Sequence, residues 1–220
     1  MSLTLLFDLD GTLLDTDPLH FQAFVVLLAR HRRPEIDFDL YKTRIMGFGH
    51  AAIFALLFPD RPADEHAALA AQKEQLFRDL VGHERIAPRA GLLELLDWAD
   101  RRGARYGVVT NAPRDNAGLM LRAMGLDARL AEVVYGEELA HGKPHPLPYQ
   151  TGLSRLAGHA DRAIAFEDSL SGVRSASAAG LYTVGVRSSL TDETLRAAGA
   201  HHTIDDFADL GLRAELERRM

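Results

Sequence analysis

The sequence predicts an α/β fold, a doubly wound parallel sheet with an inserted all-helical cap domain, and three observations carry that reading. Short apolar runs alternate with amphipathic helical patterns from residue 92 onwards, as in successive βαβ units. A first apolar run, Leu3 to Leu9, is separated from the second by a long block with helical periodicity only. At 220 residues the chain can form one large domain that carries an insert. The expected division is an α/β core of residues 1–15 and 88–220 and a helical cap of residues 16–87.

Leu3 to Leu9 is continuously apolar, as in a strand buried on both faces. After it, Asp17 is the expected N-cap, Pro18 suits the first helical position, and Phe21, Phe24, Val25 and Leu28 share a face. Residues 37–81 read as further helices, clearest over 64–81, where Leu69, Leu76, Phe77 and Leu80 line up. "GLLELLDWADRRG" is an amphipathic helix closed by Gly103, and "ARYGVVTN" a strand ending at Thr110 and Asn111. "PRDNAGLMLRAMG" is a helix opened by proline and closed by glycine. Then come the strand "AEVVY", a helix near 146–157, the strand "RAIAF" and a helix near 171–179. "YTVGV" (strand), a helix near 191–198 and "HHTI" as an edge strand complete the pattern.

Composition removes several function classes. There is no cysteine, so disulfides, thiolate chemistry and cysteine metal sites are excluded together. A net charge of −6 argues against a nucleic-acid partner held by a basic surface. No basic segment precedes the first apolar run and Asp8 interrupts it early, so no secretory signal is expected. The longest uncharged stretch, Ile45 to Pro59, is too short and too broken by glycine to span a bilayer. The expectation is a cytoplasmic protein without membrane or nucleic-acid partner, a monomer, with a homodimer as the other arrangement.

Ligands of open α/β sheets bind beyond the carboxyl ends of the strands. Those ends carry Asp8 and Asp10, then Thr110 and Asn111, then the loop "HGKPHP" with Lys143, then Glu167 and Asp168. Carboxylates, one ammonium and a hydroxyl therefore converge on one sheet edge from four distant segments. That set suits Mg²⁺, which takes oxygen ligands and offsets carboxylate repulsion, beside a phosphoryl group held by Lys143.

Other motif readings fail on spacing. In "DLDGTLLDTD", Gly11 stands fourth where an EF-hand needs glycine sixth, and a strand precedes it. "GFGHAA" at 47–52 matches a dinucleotide pattern, but "DLYKTRIM" before it is not a buried strand. The prolines of "HGKPHP" prevent a helical zinc pair from His141 and His145.

The motifs "DLDGT" at 8–12, "VVTN" at 108–111, "GKPHP" at 142–146 and "FEDS" at 166–169 resemble those of the haloacid-dehalogenase superfamily, in that family's order. The likeness extends to "SGVRSASAAGL" at 171–181 and "AGAHHTIDDFADL" at 198–210. The insert matches members with a helical cap after the first motif, in the β-phosphoglucomutase-like and phosphoglycolate-phosphatase-like branch. This resemblance implies a Rossmann-like core and an enzyme acting on a small phosphorylated metabolite. Asp8 would be the nucleophile and Asp10 the acid and base, with Lys143 countering phosphate charge. Gly11, Thr12, Thr110, Asn111 and Lys143 would bind the phosphoryl group, helped by the helix that starts near Pro113. Asp8, Asp10 (through its carbonyl), Glu167 and Asp168 would hold Mg²⁺.

The presence of Asp10 argues against the dehalogenase and phosphonate-hydrolase branches, which lack that residue. In the cap, His20, Phe48, His50 and Lys73 are the positions expected to face the core. Lys73 also fits the solvated face of an amphipathic helix. His50 aligns where mutase-like relatives carry an arginine for a second phosphate; Arg44 or Arg114 would have to substitute. The resulting expectation is a Mg-dependent phosphatase with an aspartyl-phosphate on Asp8. The alternatives are a sugar-phosphate mutase using the same intermediate and a non-catalytic phosphate-ligand-binding protein. The crossings near 14–17 and 82–88 are the expected hinges.

Overall fold

The computed structural model describes residues 2–46, 50–82 and 86–219. They form two compact units, residues 1–15 with 86–220 and residues 16–85.

The chain opens with β1 (Thr4–Phe7), every residue of which is buried. The second unit follows as α1 (Asp17–Arg30), α2 (Phe38–Arg44), α3 (His50–Leu57) and α4 (Ala63–Gly82). Helix α1 starts one residue earlier than the sequence suggests. Thr16 is its N-cap and its carbonyl accepts the Leu19 and His20 N–H groups, while Asp17 accepts the Tyr41 hydroxyl at 3.2 Å. Its buried face is also rotated, to Leu19, Ala23, Phe24, Leu27 and Leu28, and Phe21 instead packs edge-on against Phe38 and Tyr41. Asp37 caps α2, accepting the Leu40 N–H at 2.7 Å. Helix α4 packs on α1 and α3 and buries Leu69, Leu76, Phe77 and Val81, with Lys73 on that same face.

The first unit continues with α5 (Leu92–Arg102), β2 (Arg105–Thr110), α6 (Arg114–Ala123), β3 (Val133–Tyr135) and α7 (Leu147–Arg155). Then come β4 (Ala163–Glu167), α8 (Leu170–Ala178), β5 (Tyr182–Val186), α9 (Asp192–Ala198), β6 (His202–Ile204) and α10 (Leu210–Arg218). Helix α10 has no counterpart in the periodicity reading. Its boundary residue Leu210 is 86% exposed, and only Leu212 and Leu216 are buried.

The six strands run parallel in the order β3-β2-β1-β4-β5-β6, so "HHTI" does supply an edge strand. Alternate residues of β1 enter opposite layers. Leu6 joins a core with Val109, Tyr149, Leu153 and Ala165. Phe7 stacks on Phe166 with centroids 4.9 Å apart, and Phe207 meets both rings edge-on. This two-sided burial explains the unbroken apolar run at the start of the chain. Among the described residues, no helix is long and apolar enough to cross a membrane.

Candidate active site

The strand order reverses between β1 and β4, where open α/β sheets form their crevice. Register places the chemistry there. Phe7 pairs with Phe166 and with Val108, so the residues one step on, Asp8, Glu167 and Val109, lie side by side at the carboxyl ends of three adjacent strands. The Asp8 N–H donates to the Phe166 carbonyl at 2.9 Å, extending the ladder by one step.

Lys143 reaches this junction from the loop before α7. Its Nζ donates to Asp8 Oδ1 (2.6 Å), Glu167 Oε1 (2.5 Å) and the Val109 carbonyl (2.7 Å). The Lys143 side chain is 2% exposed and that of Glu167 0%, so this ion-pair triad is shielded from solvent screening. Asn111 holds the lysine in place through its side chain: Oδ1 accepts the Lys143 N–H (3.1 Å) and Nδ2 donates to the Lys143 carbonyl (3.2 Å). The hydroxyl of Thr110 accepts the Ala112 N–H at 2.9 Å, which leaves its own proton to serve another oxygen.

Asp168 is oriented from two sides, by Thr12 Oγ1 at 3.2 Å and Ser188 Oγ at 2.8 Å. Gly11 makes that approach possible. Its φ is +74°, and a Cβ there would lie 2.0 Å from Asp168 Oδ2. Gly172 does the same for Glu167, whose carboxyl would lie 1.9 Å from an added Cβ. Glu167 is held by the Tyr149 hydroxyl at 2.8 Å on Oε1 and by Ser169 Oγ at 3.1 Å on Oε2. Asp10 sits half-buried in the turn after β1, where it bridges Leu14.

One carboxylate oxygen from each of Asp8, Glu167 and Asp168 lies within 4.8 Å of the others. The Asp10 carboxylate is outside this trio. Burial pushes the Asp8 carboxyl well above its usual pKa; Lys143 opposes the shift, and the charges of Glu167 and Asp168 add to it. Burial alone would pull the Lys143 ammonium down, but Asp8 and Glu167 more than reverse that, so it stays charged. Burial and then the Glu167 charge push the Tyr149 hydroxyl well above the ordinary tyrosine value, so it donates to the carboxylate. Three carboxylates against one ammonium leave a net negative, buried site. A divalent cation fits that set of carboxylate oxygens, and its charge would offset the surplus.

The second unit holds a separate cluster. Lys73, 3% exposed, donates to His20 Nδ1 (2.6 Å) and Glu74 Oε1 (3.0 Å), and His50 Nε2 lies 3.3 Å from the same oxygen. The His20 ring stacks on Phe77 at 3.9 Å, and Lys73 lies over the Phe24 and Phe77 rings. Lys73 is therefore not on a solvated face: aromatic walls and two polar partners accommodate its burial. Phe48 lies outside the described residues. Of the two arginines considered for a second anion, Arg114 pairs with Glu138 and stacks on Tyr135 at 4.1 Å, and Arg44 is exposed at the end of α2.

Ser188, Tyr149 and Arg89 have no role in the sequence reading, and Asn111 acts through a side chain to which that reading gave no part. Ser188 follows the fifth strand and is reachable by the same strand-end rule. A tyrosine on the apolar face of "PLPYQ" must find a partner for its hydroxyl, which signals Tyr149. The amide side chain of Asn111 and the guanidinium of Arg89 carry no such signal. Arg89 donates to the Gly11 carbonyl and, at 3.0 Å, to the Thr12 carbonyl, bracing the turn that carries Asp10.

Residues 5–186 match the family model of haloacid dehalogenase-like hydrolases. A phosphoglycolate phosphatase of Xylella fastidiosa is 35% identical over 180 residues, 81% of this chain and 77% of that protein. A phosphorylated carbohydrates phosphatase of Thermotoga maritima is 31% identical, over 89% of this chain and 90% of that protein. The crystal structure of CbbY from Rhodobacter sphaeroides in complex with phosphate superposes with a TM-score of 0.80 at 31% identity, over 96% of this chain and 97% of that one. The matched span runs from β1 through β5 and includes every strand end that supplies the buried triad, so the chain belongs to the haloacid dehalogenase-like hydrolases.

Proposed function

We propose that the protein hydrolyses a small phosphomonoester, with Mg²⁺ as cofactor, through an aspartyl-phosphate on Asp8. As an enzyme it is a phosphoric monoester hydrolase, in keeping with its phosphatase relatives. The observation that carries the reading is the Lys143 ammonium bridging Asp8 and Glu167, with Asp168 beside them. An anion site and a cation site are thereby built into one strand junction.

Asp8 Oδ attacks phosphorus, and the bond from phosphorus to the ester oxygen breaks as Asp10 gives that oxygen a proton. Asp10 then takes a proton from water as the water oxygen attacks phosphorus, and the bond to Asp8 breaks to release phosphate. Lys143 offsets charge on the phosphoryl oxygens while it keeps Asp8 aimed. Thr110, through its hydroxyl, and the backbone N–H groups of Gly11, Thr12 and Asn111 bind those oxygens. Asp8, Asp168 and the Asp10 carbonyl would hold Mg²⁺, with Glu167 acting through water; the bound ion would neutralise charge between nucleophile and phosphate. His20, His50, Lys73 and Phe48 are assigned to choice of substrate. The pairing of His50 with Glu74, and of Arg114 with Glu138, supports hydrolysis over mutase chemistry, which needs a second anion site.

The test is a panel of phosphomonoesters that includes β-glucose 1-phosphate, assayed with Mg²⁺ and with EDTA. Mg²⁺-dependent phosphate release is expected, and Asp8→Asn should reduce it by about 10³-fold or more. Glucose 6-phosphate forming with little free phosphate would overturn the reading in favour of a mutase.

A further inference from the structure

An ammonium has three protons, and in Lys143 each has a protein acceptor: Asp8, Glu167 and the Val109 carbonyl. A phosphoryl oxygen can be bound only if one of these bonds is given up or shared. The Val109 carbonyl is fixed at the end of β2, and Asp8 must stay aimed at phosphorus. Glu167 differs from both because other donors hold it, Tyr149 Oη on Oε1 and Ser169 Oγ on Oε2. Tyr149 is fully buried and its hydroxyl shares one oxygen with the ammonium. Its ring also faces Lys143, with the centroid 5.2 Å from Nζ.

We propose that Tyr149 is a positioning residue whose hydroxyl keeps Glu167 Oε1 satisfied, so that Lys143 can turn one proton from Glu167 to the phosphoryl group. The inference rests on the phosphatase reading above. Without that hydroxyl the only strong donor left to Glu167 Oε1 is the ammonium, and a buried carboxylate oxygen releases its last strong donor at a cost. Lys143 would then favour Glu167 over phosphate.

Tyr149→Phe tests this, because it keeps the ring packing and the cation contact and removes one oxygen atom. In the Mg²⁺-loaded protein, the Kd for inorganic phosphate by calorimetry and the KM for the best ester should both rise about three- to tenfold. The kcat should change by less than about twofold. Unchanged phosphate affinity overturns the proposal, including the case where only the melting temperature falls, since that assigns the hydroxyl a purely structural role. Collapse of kcat at unchanged Kd overturns it as well. If the wild type itself neither turns over the panel nor binds phosphate, the phosphatase reading fails first, an outcome distinct from a Tyr149 effect.

Discussion

Each unit buries one lysine beside carboxylate, yet the two clusters are balanced differently. In the second unit Lys73 meets one carboxylate, Glu74, and one imidazole, His20, with the Phe24 and Phe77 rings beside the ammonium, while His50 pairs with Glu74. Charge there is nearly closed, and nothing in the set asks for an ion. At the strand junction Lys143 meets Asp8 and Glu167 with Asp168 alongside, three carboxylates for one ammonium. Burying that surplus costs free energy until a cation arrives. A buried lysine is thus not by itself a mark of function; the uncompensated charge around it is.

The largest expected effect tests this contrast directly. Lys143→Met leaves Glu167 and Asp8 buried without their cation, so unfolding by urea in EDTA should show a loss of about 3–5 kcal/mol. Its turnover should fall about 10²- to 10³-fold. Lys73→Met, which leaves Glu74 with His50, should cost only about 1–3 kcal/mol. Equal losses for the two variants would break the comparison.

A smaller effect sharpens the metal side. Ser188→Ala removes one of the two hydroxyls that orient Asp168. Titration of Mg²⁺ into EDTA-stripped protein should show affinity weakened about tenfold or more. Unaltered affinity would mean that Thr12 alone suffices.

The smallest effect belongs to Glu74. Burial pushes its carboxyl up, but the His50 bond and the Lys73 ammonium outweigh that and hold it well below the ordinary value of 4.5. The folded-state pKa is depressed, so its stabilisation is complete above 4.5 and is lost as pH falls from there towards the folded value. Between about pH 6 and about pH 3, wild-type stability should therefore fall more steeply than that of Glu74→Gln. Parallel slopes would show that the cluster adds nothing.

The sheet and its site were legible to different depths. Buried parallel strands are continuous apolar runs, so β1, β2, β4 and β5 announce themselves, and the residues after them are where ligands of such sheets bind. Asp8, Thr110, Glu167 and Asp168 stand at or directly after those strand ends. Helix α10 was missed because one boundary residue, Leu210, is exposed and only two others are buried, too weak a period to read. The rotated face of α1 shows the same limit: Phe21 and Leu27 both fit an apolar stripe, and only packing chooses between them.

The sequence by itself determined the fold class, the order of the strand-end motifs and the family, because apolar periodicity and short motifs are local properties of the chain. Only the tertiary structure decided who touches whom. That Lys143 spends its three protons on Asp8, Glu167 and Val109 follows from a register that sets three strand ends side by side. That Asn111 grips the lysine backbone, that Ser188 aims Asp168 and that Tyr149 steadies Glu167 follows from contacts across 18 to 32 residues of chain. Such contacts leave no period or spacing to read, because hydrogen bonds act over ångströms in space and are indifferent to distance along the chain.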